Sequence, residues 1–245
     1  MRQQKPFTHK NLKDIDVVIL CGGKGERLKS VINDRPKVLA PMGDNKAFLD
    51  IIIDNLLSKG FKRIILSVGY LKDQIINRYE NYENAEILFS EESAPLGTGG
   101  AIKNTEFLIS GDHFMVMNGD SFFDIDFFDF FDMHLKNDSL LSIALTEVDD
   151  VSDYGSVELD NNNKISRFKG KNQKKEKGLV NAGIYLVKKD IFKNMPKADS
   201  FSLEHDLIPK VLELNCYGFK GSGRFIDIGT PERYEKAVIM FKNDL

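Results

Sequence analysis

The sequence contains little that would tie it to a membrane, a nucleic acid or an oxidising compartment. Its 245 residues include only two cysteines, Cys21 and Cys216, which are far apart and form no CxxC or other metal-ligating pattern. Such sparse cysteine usage suits a reducing compartment. The formal net charge is only −3, so the composition gives no reason to expect nucleic-acid binding. No segment has the length or apolar character of a transmembrane helix or a signal peptide, and we therefore expect a cytoplasmic protein.

Two common phosphate-binding motifs are also missing from the Gly-rich stretch near the N-terminus. The segment 17–30, VVILCGGKGERLKS, leads from an apolar strand into a turn with Gly22, Gly23 and Gly25. It spells neither the GxGxxG of dinucleotide-binding folds nor the GxxxxGK[ST] of P-loops. Glycines between a strand and a helix still let backbone N–H groups approach phosphate oxygens. The stretch therefore predicts phosphate binding of another kind, with a tight structural turn as the alternative.

Short apolar strands alternate with amphipathic helices as far as Asp120. This alternation predicts a mainly parallel sheet with helices on both faces. Beyond it, the sequence predicts one helix over residues 122–137, then strands joined by tight turns, and helices over 202–214 and 230–241. The later strands suggest a more antiparallel half laid against the first. Residues 1–14 are predicted to be a polar tail or linker, and residues 15–245 a single domain.

Four charged residues stand out beside these apolar segments. Arg27 follows the glycines, and Lys37 lies behind Pro36 in RPKVLAPM. Two cations beside a phosphate-binding loop suggest a triphosphate whose charge rises during reaction. Asp120 ends the apolar run VMNGD, and Asp227 lies between two isoleucines in RFIDIG. Because an isolated buried carboxylate is costly, the two aspartates predict a shared Mg²⁺.

The ordered set LCGGKGERL, RPK, PLGTGGA, NGD and FIDIGTPERY closely resembles the sugar-1-phosphate nucleotidyltransferases, or NDP-sugar pyrophosphorylases. Within this family, LCGG and PLGTGGAI are most similar to the D-glycero-D-manno-heptose 1-phosphate and mannose-1-phosphate guanylyltransferases. The resemblance runs from about residue 15 to the C-terminus. It implies a Rossmann-like α/β fold, with a mixed, mainly parallel sheet flanked by helices and a smaller antiparallel sugar-binding portion. It also implies that NTP and a sugar 1-phosphate are converted to an NDP-sugar and pyrophosphate, for surface polysaccharide or glycan biosynthesis.

The resemblance implies roles for the residues that match the family's motifs. Arg27 would hold the leaving pyrophosphate, and Lys37 would bridge the α-phosphate and the sugar phosphate. Asp120 and Asp227 would hold the metal. Nucleotide contacts would come from Leu20, Gly22, Gly23, Gly25, Glu92, Gly97, Thr98 and Gly99. Sugar-phosphate contacts would come from Asn118, Tyr154, Gly155, Lys171, Asn181 and Gly183. We assign no role to any of the four histidines.

Two positions depart from the family pattern. Glu26 stands where the family usually has Thr. An acid beside a triphosphate is expected only if its side chain turns away or pairs with Lys24. Gly170 stands where many relatives have the Glu of a Glu-Lys pair. We therefore expect that recognition of the sugar hydroxyls is altered or comes from elsewhere.

Glu92 suggests which base the nucleotide carries. Relatives that use pyrimidine nucleotides often have Gln at this position, ahead of the second Gly-rich loop, whereas this chain has Glu92 with Glu91 beside it. An ionised carboxylate only accepts hydrogen bonds, and guanine offers two adjacent donors that one carboxylate can meet. The sequence therefore favours GTP. In the alternative interpretation, the two acids are a solvated pair on a loop.

Other functions compete with this interpretation. A uridylyl-, thymidylyl- or cytidylyltransferase of the same family would differ only in the base. A glycosyltransferase could use Asp124 and Asp126 as an Asp-x-Asp metal motif, but it has no need of Arg27 and Lys37. A non-catalytic nucleotide-sugar-binding subunit would be expected to lose one of the four charged residues. The expected partners are GTP or another NTP and a sugar 1-phosphate, with no nucleic acid or membrane, in a monomer or a homo-oligomer.

Overall fold

The computed structural model describes residues 12–43, 45–169 and 175–242. The strands are β1 Asp16–Leu20, β2 Arg63–Val68, β3 Glu86–Glu91, β4 His113–Asn118, β5 Ser121–Phe123, β6 Leu141–Val148, β7 Ser156–Leu159, β8 Ile165–Lys169, β9 Gly178–Lys188, β10 Cys216–Lys220 and β11 Phe225–Asp227. The α-helices are α1 Phe48–Ser58, α2 Lys72–Tyr79, α3 Gly97–Asn104, α4 Phe127–Lys136, α5 Ile208–Val211 and α6 Pro231–Lys242.

The main sheet runs in the order β10-β6-β9-β4-β1-β2-β3. β1 pairs in parallel with β2 and β4, and β2 pairs in parallel with β3, which confirms the predicted Rossmann-like, mainly parallel arrangement. β9 runs antiparallel to β4 and β6, and β10 pairs in parallel with β6. The second half of the chain therefore extends the same sheet, and the prediction that it is laid against the first half is wrong.

Helices cover both faces of this sheet, because alternate residues of a strand point to opposite sides. Val17 and Ile19 of β1 belong to a core that includes residues of α1, α4 and α6. Val18, between them, belongs to a second core with residues of α3 and α5. All three side chains are fully buried. A strand without a polar face is typical of a sheet between two helical layers, and it leaves the strand ends as the place for a ligand.

Two small antiparallel elements complete the fold; the sequence predicts the strands β7 and β8, whereas β5 overlaps the predicted helix over residues 122–137. β7 pairs with β8 and, at Ser156, with β9. β5 pairs with β11, which brings Asp227 opposite Ser121. This ribbon joins segments more than a hundred residues apart in the sequence. As a result, the NGD and FIDIG motifs lie side by side.

Residues 122–137, predicted as one helix, divide into a strand and a helix. β5 takes up the first of them, and α4 begins at Phe127. Asp126 is the N-cap, since its Oδ1 accepts hydrogen bonds from the backbone N–H groups of Phe128 at 2.8 Å and Asp129 at 3.1 Å. Asp126 is therefore engaged in starting a helix. This arrangement argues against the Asp-x-Asp metal motif of a glycosyltransferase.

Three other parts of the chain differ from the predictions. Residues 202–214 form a π-helical turn over Leu203–Leu207 followed by the short α5, where Pro209 lacks the N–H that a continuous helix needs. Strand β10 is not predicted, because it is short and contains a glycine. Leu12 is fully buried, so the packed region begins inside the predicted tail. Within the described ranges, no helix combines the length and apolar character needed to span a bilayer.

A buried histidine pair in the fold leads to a prediction about stability. His134 Nε2 lies 3.0 Å from His113 Nδ1, and its other ring nitrogen lies 2.8 Å from Ser142 Oγ. Burial, with a smaller effect of His113, lowers the pKa of His134 to about 3. The unfolded chain takes up this proton near pH 6.5, so stability is complete above that pH and is lost as the pH falls toward 3.

We expect His134 to remove about 2 kcal/mol of unfolding free energy between about pH 7 and about pH 5. His134→Gln should flatten this pH dependence, whatever it does to absolute stability. His205→Gln, at an exposed imidazole, should leave the dependence as in the wild type. Urea unfolding of the three proteins at both pH values gives the slope of the unfolding free energy with pH. Equal slopes for His134→Gln and the wild type would contradict the assignment.

Candidate active site

The loops that follow β1, β2 and β4 meet at one edge of the sheet. The register aligns Leu20 with Ser67 on one side and with Asn118 on the other, so three strands end together. A cavity of about 780 Å³ opens at this edge. Of the residues predicted for the site, those that line it are Leu20, Gly22, Gly23, Arg27, Glu92, Gly97, Thr98, Asn118 and Asp120.

The first Gly-rich loop brings the two predicted cations together. Gly25 has a left-handed φ of +59°, and a methyl group there would lie 2.9 Å from Lys37 Cβ, so only glycine fits without strain. Residues Glu26–Leu28 then form a short 3₁₀ helix. Arg27 and Lys37 both line a smaller cavity of about 340 Å³, which shares Arg27 with the main one. Arg27, from the loop, and Lys37, from the turn behind Pro36, thus face the same small cavity.

Lys37 forms an ion pair with Asp120. Its Nζ lies 2.7 Å from Asp120 Oδ2, with the two side chains 10% and 37% exposed. Burial alone would raise the pKa of Asp120, but the charge and hydrogen bond of Lys37, with smaller contributions from Ser121 and Arg27, hold it below its usual value. Asp120 is therefore ionised at neutral pH. The ammonium of Lys37 still has donors for a phosphate oxygen, because it carries three N–H bonds.

Asp227 is buried and hydrogen-bonded on both oxygens. Its Oδ1 accepts from the Gly229 N–H at 2.7 Å, and its Oδ2 accepts from the Tyr154 hydroxyl at 2.6 Å and lies 3.2 Å from Arg233 Nη1. Burial and the bond to Asp227 raise the pKa of Tyr154 to about 12, so the hydroxyl remains a donor. A methyl group built on Gly229 would lie 3.5 Å from Arg27 Nη2. Asp227 and its hydrogen-bonded neighbour Gly229 thus lie close to Arg27.

The predicted metal ligands are close in the fold but are not a complete metal site. The backbone N–H next to Asp227, that of Ile228, donates to the Asp120 carbonyl at 2.9 Å. Among the described residues, no group of three or more His, Cys, Asp or Glu side chains could hold a metal ion. Mg²⁺, however, is commonly bound by one or two carboxylates together with substrate phosphates and water. Asp120 and Asp227 fit that mode of binding. Asp120 is also paired with Lys37, and Asp227 with Arg233.

Glu92 lies inside the main cavity, whereas its neighbour Glu91 does not line it. Glu91 forms an exposed ion pair with Lys72 at 2.7 Å, so the solvated-pair alternative describes Glu91 alone. Glu92 Oε2 accepts a hydrogen bond from the Leu96 N–H at 3.1 Å, and burial raises its pKa, partly offset by that bond. Its Oε1 would lie 2.5 Å from a methyl group on Gly22. Gly22 therefore leaves room for the carboxylate of Glu92.

The second Gly-rich loop differs from its predicted role. α3 begins within the loop at Gly97, which lines the cavity together with Thr98. Gly99 is buried and lines neither cavity described above; its N–H donates to the Phe201 carbonyl at 2.9 Å. Its approach to the base or ribose stays a prediction. The N–H group is bonded within the protein, and the missing side chain makes room for Phe201.

Of the residues predicted to contact the sugar phosphate, only some lie at the cavity. Asn118 lines the cavity, and Asn181 is bonded to two residues that line it. The Asn181 N–H donates to the Gly155 carbonyl at 3.2 Å. Gly183 has a φ of +78°, and a methyl group there would lie 2.7 Å from Asn118 Nδ2. Tyr154 is joined to Asp227, as described above. Lys171 and the departure at Gly170 lie outside the described residues.

Glu26 lines the smaller cavity and is exposed. Lys24 lines the larger cavity, and within the described ranges no ion pair links the two side chains. Of the two alternatives for Glu26, the pairing with Lys24 is therefore not present among the described residues. Glu26 lines the smaller cavity together with Arg27.

Residues 16–243 match the nucleotidyl transferase family. The chain belongs to this family. It is 41% identical over 223 residues to the D-glycero-alpha-D-manno-heptose 1-phosphate guanylyltransferase of Campylobacter jejuni, which covers 90% of this chain and 97% of that protein. The enzyme of the same name from Aneurinibacillus thermoaerophilus is 37% identical over 225 residues, with 91% and 96% covered. HddC from Yersinia pseudotuberculosis, solved in complex with GMP-PN, has a TM-score of 0.81 at 40% identity, with 93% of this chain and 99% of that chain covered. The predicted family and fold are confirmed.

Several residues at the cavity of this nucleotidyl transferase are not predicted from its sequence. They include Lys24, Tyr70, Tyr185, Ser202, Glu204 and His205. The alternation of β9 could have identified Tyr185, because it points to the same side as Asn181 and Gly183. Glu204 and His205 carry no comparable signal, since they lie in an irregular turn. His205 reaches the cavity although the sequence suggests no role for a histidine.

Proposed function

We propose that this nucleotidyl transferase is a sugar-1-phosphate guanylyltransferase, which makes a GDP-sugar and pyrophosphate from GTP and a heptose or hexose 1-phosphate. The observation that carries the proposal is that Arg27 and Asp120 line the same cavity as Glu92, while Lys37, the ion-pair partner of Asp120, lines the smaller cavity that shares Arg27 and Asp120 with it. Similarity to heptose guanylyltransferases over nearly the whole chain supports the choice of guanine and of a heptose. A role in surface polysaccharide biosynthesis, in the cytoplasm, is part of the proposal.

The chemistry needs charge stabilisation and positioning. A phosphate oxygen of the sugar 1-phosphate attacks the α-phosphorus of GTP in line, and pyrophosphate leaves. The attacking oxygen is already anionic near neutral pH, so no general base is required. The protein has to bring two anions together and stabilise the charge that develops on the leaving group. In the proposed mechanism, Lys37 bridges the two phosphates and Arg27 holds the pyrophosphate.

Arg27→Ala and Lys37→Ala should each lower kcat by roughly two or more orders of magnitude, the scale of a lost charge stabiliser. Within the described ranges Arg27 has no ion-pair partner, so its guanidinium is available to phosphate. Lys29→Ala is the matched control, because Lys29 is exposed and lines neither cavity described above. Steady-state pyrophosphate release gives kcat for all four proteins. Near-wild-type turnover in either of the first two variants would remove that residue from the reaction.

We also propose that Asp120 and Asp227 hold Mg²⁺ together with the nucleotide phosphates. The ion, when bound, would neutralise phosphate charge. EDTA should abolish pyrophosphate release and excess Mg²⁺ should restore it. Asp227→Asn, which keeps the shape of the side chain, should raise the Mg²⁺ concentration for half-maximal activity at least roughly tenfold. Turnover that persists in EDTA, or an unchanged Mg²⁺ dependence in Asp227→Asn, would count against the site.

Glu92 is proposed to accept hydrogen bonds from the two adjacent donors of guanine. The wild type should therefore favour GTP over ATP, UTP and CTP in side-by-side kcat/KM measurements with one sugar 1-phosphate. Glu92→Gln should erode this preference more than it slows the reaction with GTP, since about 1–3 kcal/mol of discrimination is at stake. Glu91→Gln serves as the control. A wild type that prefers a pyrimidine nucleotide would overturn the choice of guanine and leave the family intact.

A further inference from the structure

A third carboxylate, besides those of Glu92 and Asp120, lies in the wall of the main cavity. Glu204 belongs to the π-helical turn Leu203–Leu207 and lines the cavity near Asn118 and Tyr185. Its Oε1 accepts hydrogen bonds from Asn181 Nδ2 at 2.8 Å and from the Tyr185 hydroxyl at 3.3 Å. Neither the first Gly-rich loop nor the metal pair takes part in these contacts. The roles proposed for those groups therefore do not account for the position of Glu204 in the cavity.

The groups that hold Glu204 are themselves fixed. Tyr185 is 1% exposed, and its oxygen also accepts a hydrogen bond from Asn181 Nδ2 at 2.6 Å. Asn181 Oδ1 accepts from the Gly183 N–H at 2.9 Å, which sets the orientation of the amide. Both ends of the Asn181 side chain are thus bonded to the protein. The Asn181 side chain therefore holds the Glu204 carboxylate in place, and its direct contact with the sugar phosphate stays a prediction.

The turn that carries Glu204 is also tied to the nucleotide side of the site. The Leu203 N–H donates to Thr98 Oγ1 at 2.9 Å. The Phe201 carbonyl accepts from the first turn of α3, at Gly99 and Gly100. These bonds hold the turn against a helix that begins at the cavity. Glu204 is consequently supported from β9 on one side and from α3 on the other.

The order of the strands separates Glu204 from the other groups of the cavity. The carboxylate of Glu92 rests against Gly22 and Gly69, which follow β1 and β2. The Lys37–Asp120 pair lies between the loops after β1 and β4. Glu204 is held by side chains of β9, on the far side of β4. Along the sheet edge, the order is thus the carboxylate of Glu92, then Arg27 and the Lys37–Asp120 ion pair, then the carboxylate of Glu204.

This order restricts what Glu204 can bind. A carboxylate repels phosphate, so it suits the part of the second substrate that carries neutral donors. Within the described ranges, Glu204 Oε2 has no hydrogen-bond partner, and it can accept from two hydroxyl groups. We infer, on the basis of the proposed function, that Glu204 recognises hydroxyl groups of the sugar 1-phosphate, with Asn181 and Tyr185 as positioning residues. Glu204 then supplies a carboxylate that the sequence lacks at Gly170.

The first test separates the two substrates. Glu204→Gln should raise KM for mannose 1-phosphate roughly 10- to 100-fold and leave KM for GTP within about twofold. Tyr185→Phe should raise the same KM by a smaller factor, because it removes one of the two donors to Oε1. Glu213→Gln, at an exposed carboxylate outside the cavity, is the matched control. Circular dichroism and melting temperature establish that the variants are folded.

The second test asks whether Glu204 touches a particular hydroxyl. Wild type and Glu204→Gln are compared on mannose 1-phosphate and its 2-, 3-, 4- and 6-deoxy analogues. We expect at least one analogue to lose roughly 10-fold or more in kcat/KM with the wild type and less than about threefold with Glu204→Gln. Such non-additivity identifies the bonded hydroxyl. A merely structural role for Glu204 would lower all five substrates by the same factor.

The outcomes distinguish this inference from the proposed function. A wild type that is active, with Glu204→Gln losing equally on every analogue or changing KM for GTP alone, overturns the role of Glu204 only. A wild type that releases no pyrophosphate from any sugar 1-phosphate and NTP overturns the proposed function, and with it the inference. A loss on one or two deoxy analogues that the wild type shows and Glu204→Gln does not show supports both.

Discussion

The parallel pairing of β1 with β2 and β4 is the constraint on which this site depends. Because parallel strands in register end at the same edge, the loops after them meet, although their residues lie up to a hundred positions apart. The helices that connect the strands cover both faces of the sheet and leave this edge open. The antiparallel β9 then adds its own side chains next to β4. This sheet edge therefore collects most of the groups that the proposed chemistry uses, and the β5–β11 ribbon adds Asp227.

Within that edge, opposite charges are paired before any substrate is present. Asp120 is bonded to Lys37, and Asp227 to Arg233. A carboxylate that is partly or wholly buried needs a cation or several donors, and both aspartates meet this need inside the protein. The reasoning that led from buried aspartates to a metal is thus incomplete, since a basic side chain satisfies the same requirement. Binding of a metal would have to share these oxygens with their present partners.

The glycines of both loops make room for protein atoms as well as for a ligand. The missing side chain of Gly22 leaves space for the carboxylate of Glu92, and that of Gly25 leaves space for the side chain of Lys37. Gly99 makes the same kind of space for Phe201. Each close approach fixes a functional side chain or the turn that carries one. A Gly-rich motif in this fold therefore describes how the loops pack on each other as much as how they approach phosphate.

The sequence by itself determined the alternation of strands and helices, the family, and the residues of the first loop, because these depend on local patterns of apolar residues, glycines and charges. It also placed Glu92 in the site, because one carboxylate can meet the two adjacent donors of guanine, and the position of Glu92 inside the cavity supports this. Only the tertiary structure decided which partners the charged residues take, where Gly99 packs, and that Glu204 enters the cavity. Those features depend on contacts between segments far apart in the chain, such as β5 with β11 and α3 with the turn at Leu203. No local pattern encodes the three-dimensional neighbours of a side chain, and the irregular turn of Glu204 gives no periodic signal to read.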